Sequence, residues 1–259
     1  MGQLGMITSS QNLKIKLVRA LLGRAKERRE AGAFVVEGVR LVEEAEARGW
    51  NFRFALYDAS LNERGSSLVE HLLSRDLDVE EVSEPLMKSL SDTETPQGIL
   101  AVLDLPNLII PDFSNFILIP DQIRDPGNLG TLLRSAAAAG VQAVFLPPET
   151  TDAFAPKVVR SGMGAHFRLP IRSMKWEKIQ REIQGLEVCL ADMDGASCWE
   201  TDLRVPLALI IGSEAEGASE EARELATQKI SIPMSGGMES LNAGVAGSVL
   251  MFEVVRQRK

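Results

Sequence analysis

Apolar positions along this chain change their period repeatedly, and each change predicts an element. Over residues 11–30, Leu13, Leu17, Ala20 and Leu21 recur near helical spacing with basic residues between them, which predicts one amphipathic helix. The run AFVVE over residues 33–37 predicts a strand, broken by Gly38. A helix over 39–48 ends at Gly49, a strand follows over 52–57, a helix over 66–75 and a short strand over 79–82. Pro85 opens a short helix over 85–90, and ILAVL over 99–103 predicts a buried strand. Short strands alternating with helices predict a compact α/β unit over residues 1–105. PNLIIPDFS, residues 106–114, has two prolines and no helical period, so it is expected to be a linker. Its apolar patch at 108–110 implies that it packs against one domain.

A second α/β unit is expected over residues 115–259. FILI at 116–119 is a continuous apolar strand, as in sheets covered on both faces. Pro126 and Gly127 predict a turn, Asn128 an N-cap, 129–139 a helix and Gly140 its C′ residue. A strand over 141–146, helices over 155–160 and 176–184, strands over 186–191 and 207–211, and a helix over 219–226 capped by Ser219 follow. Short connections between alternating elements predict a mostly parallel sheet. The final stretch, ISIPMSGGMESLNAGVAGSVLMFEVVR from Ile230 to Arg256, is expected to hold a strand, a loop with Gly236, Gly237 and Glu239, and a helix beginning at Asn242. That helix opens with Ala243, Gly244, Ala246, Gly247 and Ser248; glycine is a poor helix former, so the run implies close approach of another backbone.

Composition narrows the function. The 259 residues are 45% hydrophobic and 25% charged, which fits a soluble globular protein. No apolar run is long enough to span a membrane and no secretory h-region is present, so a cytoplasmic setting is expected. Cys189 and Cys198 are too few for a disulfide framework, and with only His71 and His166 no metal constellation is evident. A net charge of −8 argues against a general polyanion binder. Lys14, Lys16, Arg19, Arg24, Lys26, Arg28 and Arg29 nevertheless cluster against the single Glu27, and such a face can contact RNA phosphates; a solvated amphipathic helix is the plain alternative.

Three loops follow predicted strands, where open α/β sheets bind ligands. They carry Asn128, Gly130 and Arg134; then Gly212-Ser213-Glu214-Ala215-Glu216-Gly217; then the segment through Glu239, Ser240, Leu241 and Asn242. None has the phosphate-loop or dinucleotide fingerprint. Singly each reads as a cap or turn. Together, Asn-x-Gly-Thr-x-x-Arg, Gly-Ser-Glu-x-Glu-Gly and Ile-x-Met…Glu-Ser-Leu-Asn resemble the SpoU (TrmH-like) branch of the SPOUT RNA methyltransferases. RSGMGAHFRLPI at 160–171 also looks like a family segment, and KLVRALLGRAKERREAGAFVVEGVRLVEEA with TPQGILAV is similar to the family's ribosomal-protein-like RNA-binding domain.

The resemblance implies a parallel α/β domain with a C-terminal trefoil knot, S-adenosylmethionine as cofactor, a homodimer with the site at its interface, and methyl transfer to a ribose 2′-hydroxyl in RNA. Ribosomal RNA is the expected substrate; transfer RNA, or a non-catalytic ribosome-assembly role, are the alternatives. It implies cofactor contacts at Gly212, Ile232 and Leu241, with Met234 and Glu216 added, and catalytic roles for Arg134, Asn128, Glu214, Ser240 and Asn242. Asn128 is expected to orient Arg134. Ser213 departs from the family pattern, which commonly has asparagine there.

Overall fold

Arg24 divides the first predicted helix in two. Its backbone is extended (φ −96°, ψ 144°), separating α1 (Leu13–Gly23) from α2 (Ala25–Ala31). The break frees the last carbonyls of α1, and the Arg28 guanidinium folds back onto them, donating from Nη1 to Leu21 O (2.5 Å) and Gly23 O (3.3 Å). Arg28 is consequently 3% exposed. The buried face of α1 is Ile15, Val18 and Leu21, whereas Leu13 is 81% exposed, so the predicted stripe is one phase off.

In the computed structural model, which describes residues 5–91, 93, 95–214, 216–235 and 240–259, the chain forms two units. One is Met1–Pro106 with Phe154–Arg160; the other is Asn107–Ala153 with Ser161–Lys259. After α2, the first unit continues through β1 (Ala33–Glu37), α3 (Val39–Ala47), β2 (Phe52–Tyr57), α4 (Glu63–Ser74), β3 (Val79–Glu81), α5 (Glu84–Lys88) and β4 (Ile99–Asp104). Its sheet runs β1-β4-β2-β3, with β4 antiparallel to both neighbours and β3 parallel to β2. α1 seals this sheet by packing Ile15, Val18 and Leu21 with Val35, Leu56 and Val102. Apolar burial of this kind contributes roughly 25 cal/mol per Å² removed from water.

The second unit comprises β5 (Phe116–Pro120), α6 (Pro126–Ala139), β6 (Ala143–Leu146), the end of α7 (Pro156–Gly162), a 3₁₀ turn (Ala165–Phe167), β7 (Ile171–Ser173), α8 (Trp176–Glu182), β8 (Glu187–Ser197), β9 (Leu207–Ile211), α9 (Glu220–Leu225), β10 (Gln228–Ser231) and α10 (Ala243–Gln257). The sheet order β10-β8-β9-β5-β6-β7 is parallel at every pairing, as the continuous apolar strands predict. β5 and β9 lie at its centre and every residue of both is buried. Two elements depart from the sequence pattern. β7 is too short to show a period, and β8 runs past residue 191 to Ser197, its polar end paired with β10. Gly195 permits that pairing, because a Cβ there would lie 2.5 Å from Ile230 N.

The small residues of α10 have their physical cause in α6. A Cβ on Gly247 would sit 2.3 Å from Leu132 Cδ2 and 3.2 Å from Ile211 Cγ1, and one on Gly244 would sit 3.2 Å from Thr131. Glycine therefore lets α10 lie against α6 and the end of β9, and Ser135 and Ser248 join the two helices by a hydroxyl hydrogen bond of 2.7 Å.

Candidate functional site

The ends of β8, β9 and β10 frame a cavity of about 780 Å³ in the second unit. Its apolar wall includes Ile211, Ile232, Leu241 and Leu250; its polar rim includes Asp192, Glu214, Glu216, Arg223 and Lys229. All five expected cofactor positions, Gly212, Glu216, Ile232, Met234 and Leu241, line this one cavity, as do Glu214 and Ser240. Gly236, Gly237 and Glu239, and Ala215 in the second loop, lie outside the described residues. At the rim the Lys229 ammonium, 2.9 Å from Asp192, holds that carboxyl below the usual carboxylate range.

One carboxylate oxygen joins the three loops. Glu214 Oε1 accepts from Asn128 Nδ2 (2.9 Å), Asn242 Nδ2 (2.6 Å) and the Ala243 amide (2.7 Å). Asn242 Nδ2 also donates to Asn128 Oδ1 (2.9 Å), and its own Oδ1 caps α10 by accepting from Val245 N (3.2 Å). Each partner has a local reason for being there. Asp125, not Asn128, caps α6: its side chain accepts from Asn128 N at 2.8 Å, with Pro126 in the first turn. That correction releases the Asn128 amide from capping and turns it toward Glu214. Asp-Pro ahead of a helix is the sequence signal that identifies the true cap. Glu214 in turn sits at the N-terminus of α10, where unpaired N–H groups and the helix dipole favour negative charge.

Arg134 is not part of this cluster. It is exposed, and Asn128 spends its side chain on Glu214 and Asn242, so Asn128 does not orient Arg134 within the chain. Arg134 lines a separate depression of about 230 Å³ with Ala137, Ala138, Gly162, Met163, Ala165 and Arg168. Arg124, unremarked by the sequence patterns, bridges Glu149 (2.9 Å) and Glu216 (3.2 Å) beside the cofactor-sized cavity. Asp121, just after β5, is fully buried; it accepts from Ser219 N at 2.6 Å, and burial pushes its carboxyl pKa up.

The basic N-terminal set divides. Lys16, Arg19, Arg24 and Arg29 are exposed, Arg19 with a hydrogen bond to Ser89. Arg28 is the buried helix clamp described above. Lys14 pairs with Asp78 and with Glu80 (2.6 Å) and lies 5.1 Å over the Phe54 ring. Neither Arg28 nor Lys14 is a free surface cation: carbonyls at the end of the preceding helix hold Arg28, and carboxylates far along the chain hold Lys14. Lys26 faces Glu30 at 3.6 Å. Among the described residues, no three His, Cys, Asp or Glu side chains gather as a metal site, and no helix is long and apolar enough to cross a membrane.

Known proteins resemble this chain over nearly its whole length. The chain is 33% identical over 251 residues to the 23S rRNA (guanosine(2553)-2′-O)-methyltransferase RlmP of Bacillus subtilis, covering 96% of this chain and 98% of the relative. It is 33% identical over 266 residues to the 23S rRNA (uridine(2479)-2′-O)-methyltransferase of Streptomyces viridochromogenes, covering 96% and 92%. The crystal structure of an AdoMet-bound rRNA methyltransferase from Sinorhizobium meliloti superposes with a TM-score of 0.85 at 30% identity, covering 98% of each chain. Residues 12–101 match the model of the MRM3-like substrate binding domain. Residues 115–252, which contain every residue of the Glu214 cluster, match the SpoU rRNA Methylase family model, and the chain belongs to that family.

Proposed function

We propose that this protein transfers a methyl group from S-adenosylmethionine to a ribose 2′-hydroxyl in ribosomal RNA. The observation that carries this reading is the Glu214 cluster, which fastens the loops after β5, β9 and β10 at the mouth of one cavity. The cavity volume, about 780 Å³, lies within the roughly 300–1,000 Å³ of small-molecule sites. Its lining suits the cofactor: apolar side chains for a purine, exposed loop backbone for ribose and amino-acid groups, and carboxylates for a cationic sulfonium. Bound there, S-adenosylmethionine supplies an electrophilic methyl group.

The chain must then help a poor nucleophile. As its oxygen takes up the methyl group, the ribose hydroxyl passes its proton to solvent water, and a positioned cation stabilises the developing oxyanion. Arg134 suits that role, and its guanidinium stays protonated, so it acts by charge and hydrogen bonding and not as a base. Glu214, Asn128 and Asn242 hold the loops, and Ser240, exposed at the cavity, is positioned to orient the ribose. Arg134 and the cavity have no lining residue in common. This supports a homodimer in which a second copy brings its Arg134 to the methyl group. The strand–loop–helix passage from β10 to α10, tight enough against α6 to require Gly247, supports the trefoil knot. Exposed Lys16, Arg19, Arg24 and Arg29 suit the first unit to RNA phosphates in a cytoplasmic, rRNA-directed enzyme.

The test is transfer of radiolabelled methyl from S-adenosylmethionine to unmodified large-subunit ribosomal RNA, followed by alkaline hydrolysis. A labelled, alkali-resistant dinucleotide is expected, because a 2′-O-methyl blocks cleavage. Label confined to bases, or to transfer RNA supplied in parallel, would overturn the proposal.

A further inference from the structure

We infer that Arg168 and Arg134 form a two-armed subsite for an RNA phosphodiester beside the target ribose, built on a rigid turn. The inference rests on the methyltransferase reading and adds a binding residue to it. Both arginines are exposed and line the same depression, whose other walls are small or apolar: Ala137, Ala138, Gly162, Met163 and Ala165. At about 230 Å³ it is smaller than the roughly 300–1,000 Å³ of sites that enclose whole small molecules, which suits a single group of a polymer. Two guanidinium groups flanking one small hollow fit a phosphodiester, since each carries five N–H donors, enough to keep an intramolecular partner and still reach an anionic oxygen.

The turn beneath them is locked. Met163 has φ +46° and Gly164 φ +88°, so two successive residues take the left-handed conformation, uncommon for a side chain like that of methionine. Strain of this kind persists only where packing dictates it. Here α6 lies so close to the end of α7 that a Cβ on Gly130 would fall 1.8 Å from Ser161 Oγ, and the chain then folds on itself so closely that one on Gly162 would fall 2.8 Å from His166 Cε1. His166 is wholly buried and its Nε2 lies 2.7 Å from Ala153 O. The 3₁₀ turn Ala165–Phe167 thus leaves the core at a fixed point, and Arg168 is its first exposed residue. Ordering costs for the backbone that carries Arg168 are met on folding, not on RNA binding.

The experiment measures steady-state methyl transfer to unmodified large-subunit ribosomal RNA transcribed in vitro, with Arg168→Ala and Arg168→Lys beside the wild-type dimer. Cofactor affinity by calorimetry reports whether each variant is folded. Arg168→Ala is expected to raise KM for RNA roughly ten- to a hundredfold while cofactor affinity is unchanged. Its salt dependence, log KM against log salt, should flatten by about one phosphate contact, a slope change of roughly 0.7–0.9. Arg168→Lys should restore part of the KM and most of the slope, because charge returns without the planar fork. Unchanged KM and slope in an active Arg168→Ala enzyme would overturn the subsite alone. A wild-type protein that binds S-adenosylmethionine but methylates no RNA would overturn the underlying reading and the subsite with it. A fall in kcat and cofactor affinity with KM unchanged would assign Arg168 a structural role and sink the inference.

Discussion

Asn128 Nδ2 donates to Glu214 Oε1 at 2.9 Å, joining residues 86 positions apart. The same oxygen receives Asn242 and the first amide of α10, so one carboxylate sets the relative positions of three loops. Glu214→Gln keeps one carbonyl oxygen but removes the charge that makes these bonds strong. We expect kcat to fall at least roughly tenfold, the equivalent of one charge-assisted hydrogen bond, with cofactor affinity also weakened. Single-turnover methyl transfer with calorimetry checks both.

Arg134→Ala should abolish methyl transfer and leave S-adenosylmethionine affinity nearly unchanged, since Arg134 lies outside the cofactor-sized cavity. Substantial turnover by this variant would contradict its assigned role.

Arg28 and Arg24 should behave oppositely. Arg28→Ala removes a buried cation from two helix-end carbonyls and should cost about 1–3 kcal/mol in urea unfolding. Arg24→Ala, at an exposed position, should change stability by no more than about 0.5 kcal/mol while reducing RNA affinity in low salt. Filter binding and denaturation on the same preparations separate the two effects.

His166 makes stability depend on pH. Burial pushes its pKa down to about 4, against an ordinary value near 6.5, with the Ala153 carbonyl bond and the Asp152 charge opposing. Between these values the unfolded chain holds a proton that the folded chain excludes. Stability is therefore full above about 6.5 and declines as pH falls toward 4, by up to about 3 kcal/mol. His166→Gln should flatten urea midpoints measured across that window; an unchanged pH slope would remove His166 as the cause.

Gly247→Val should destabilise the protein by about 1–3 kcal/mol, because the added atoms meet Leu132 and Ile211 inside packed core. Thermal unfolding measures this, and a neutral result would show that α10 can withdraw from α6.

Local signals carried much of the fold. Apolar runs such as FILI and LALII cannot be solvated on either face, so they predict buried parallel strands, and all pairings of the larger sheet are parallel. Local signals failed where a distant group decided the outcome. Leu13 has the spacing of a core residue and is exposed, because the sheet beneath α1 receives Ile15 and Val18 instead. Lys14 belongs to a basic run in sequence, but Asp78 and Glu80 neutralise it. The cap of α6 is a different case: Asp125, just ahead of Pro126, is itself a local signal, and it outranks Asn128.

By itself, then, the sequence determined the alternation of elements, the three chemically biased loops after strands, and the need for close backbone approach in the terminal helix. These depend on period, side-chain type and steric size, which are local properties. Only the tertiary structure decided that Glu214 Oε1 is the common acceptor of Asn128, Asn242 and Ala243, and that Arg134 stands apart with Arg168. Hydrogen-bond partnership depends on direction and on distances of a few ångströms between residues far apart along the chain, and no one-dimensional pattern encodes either.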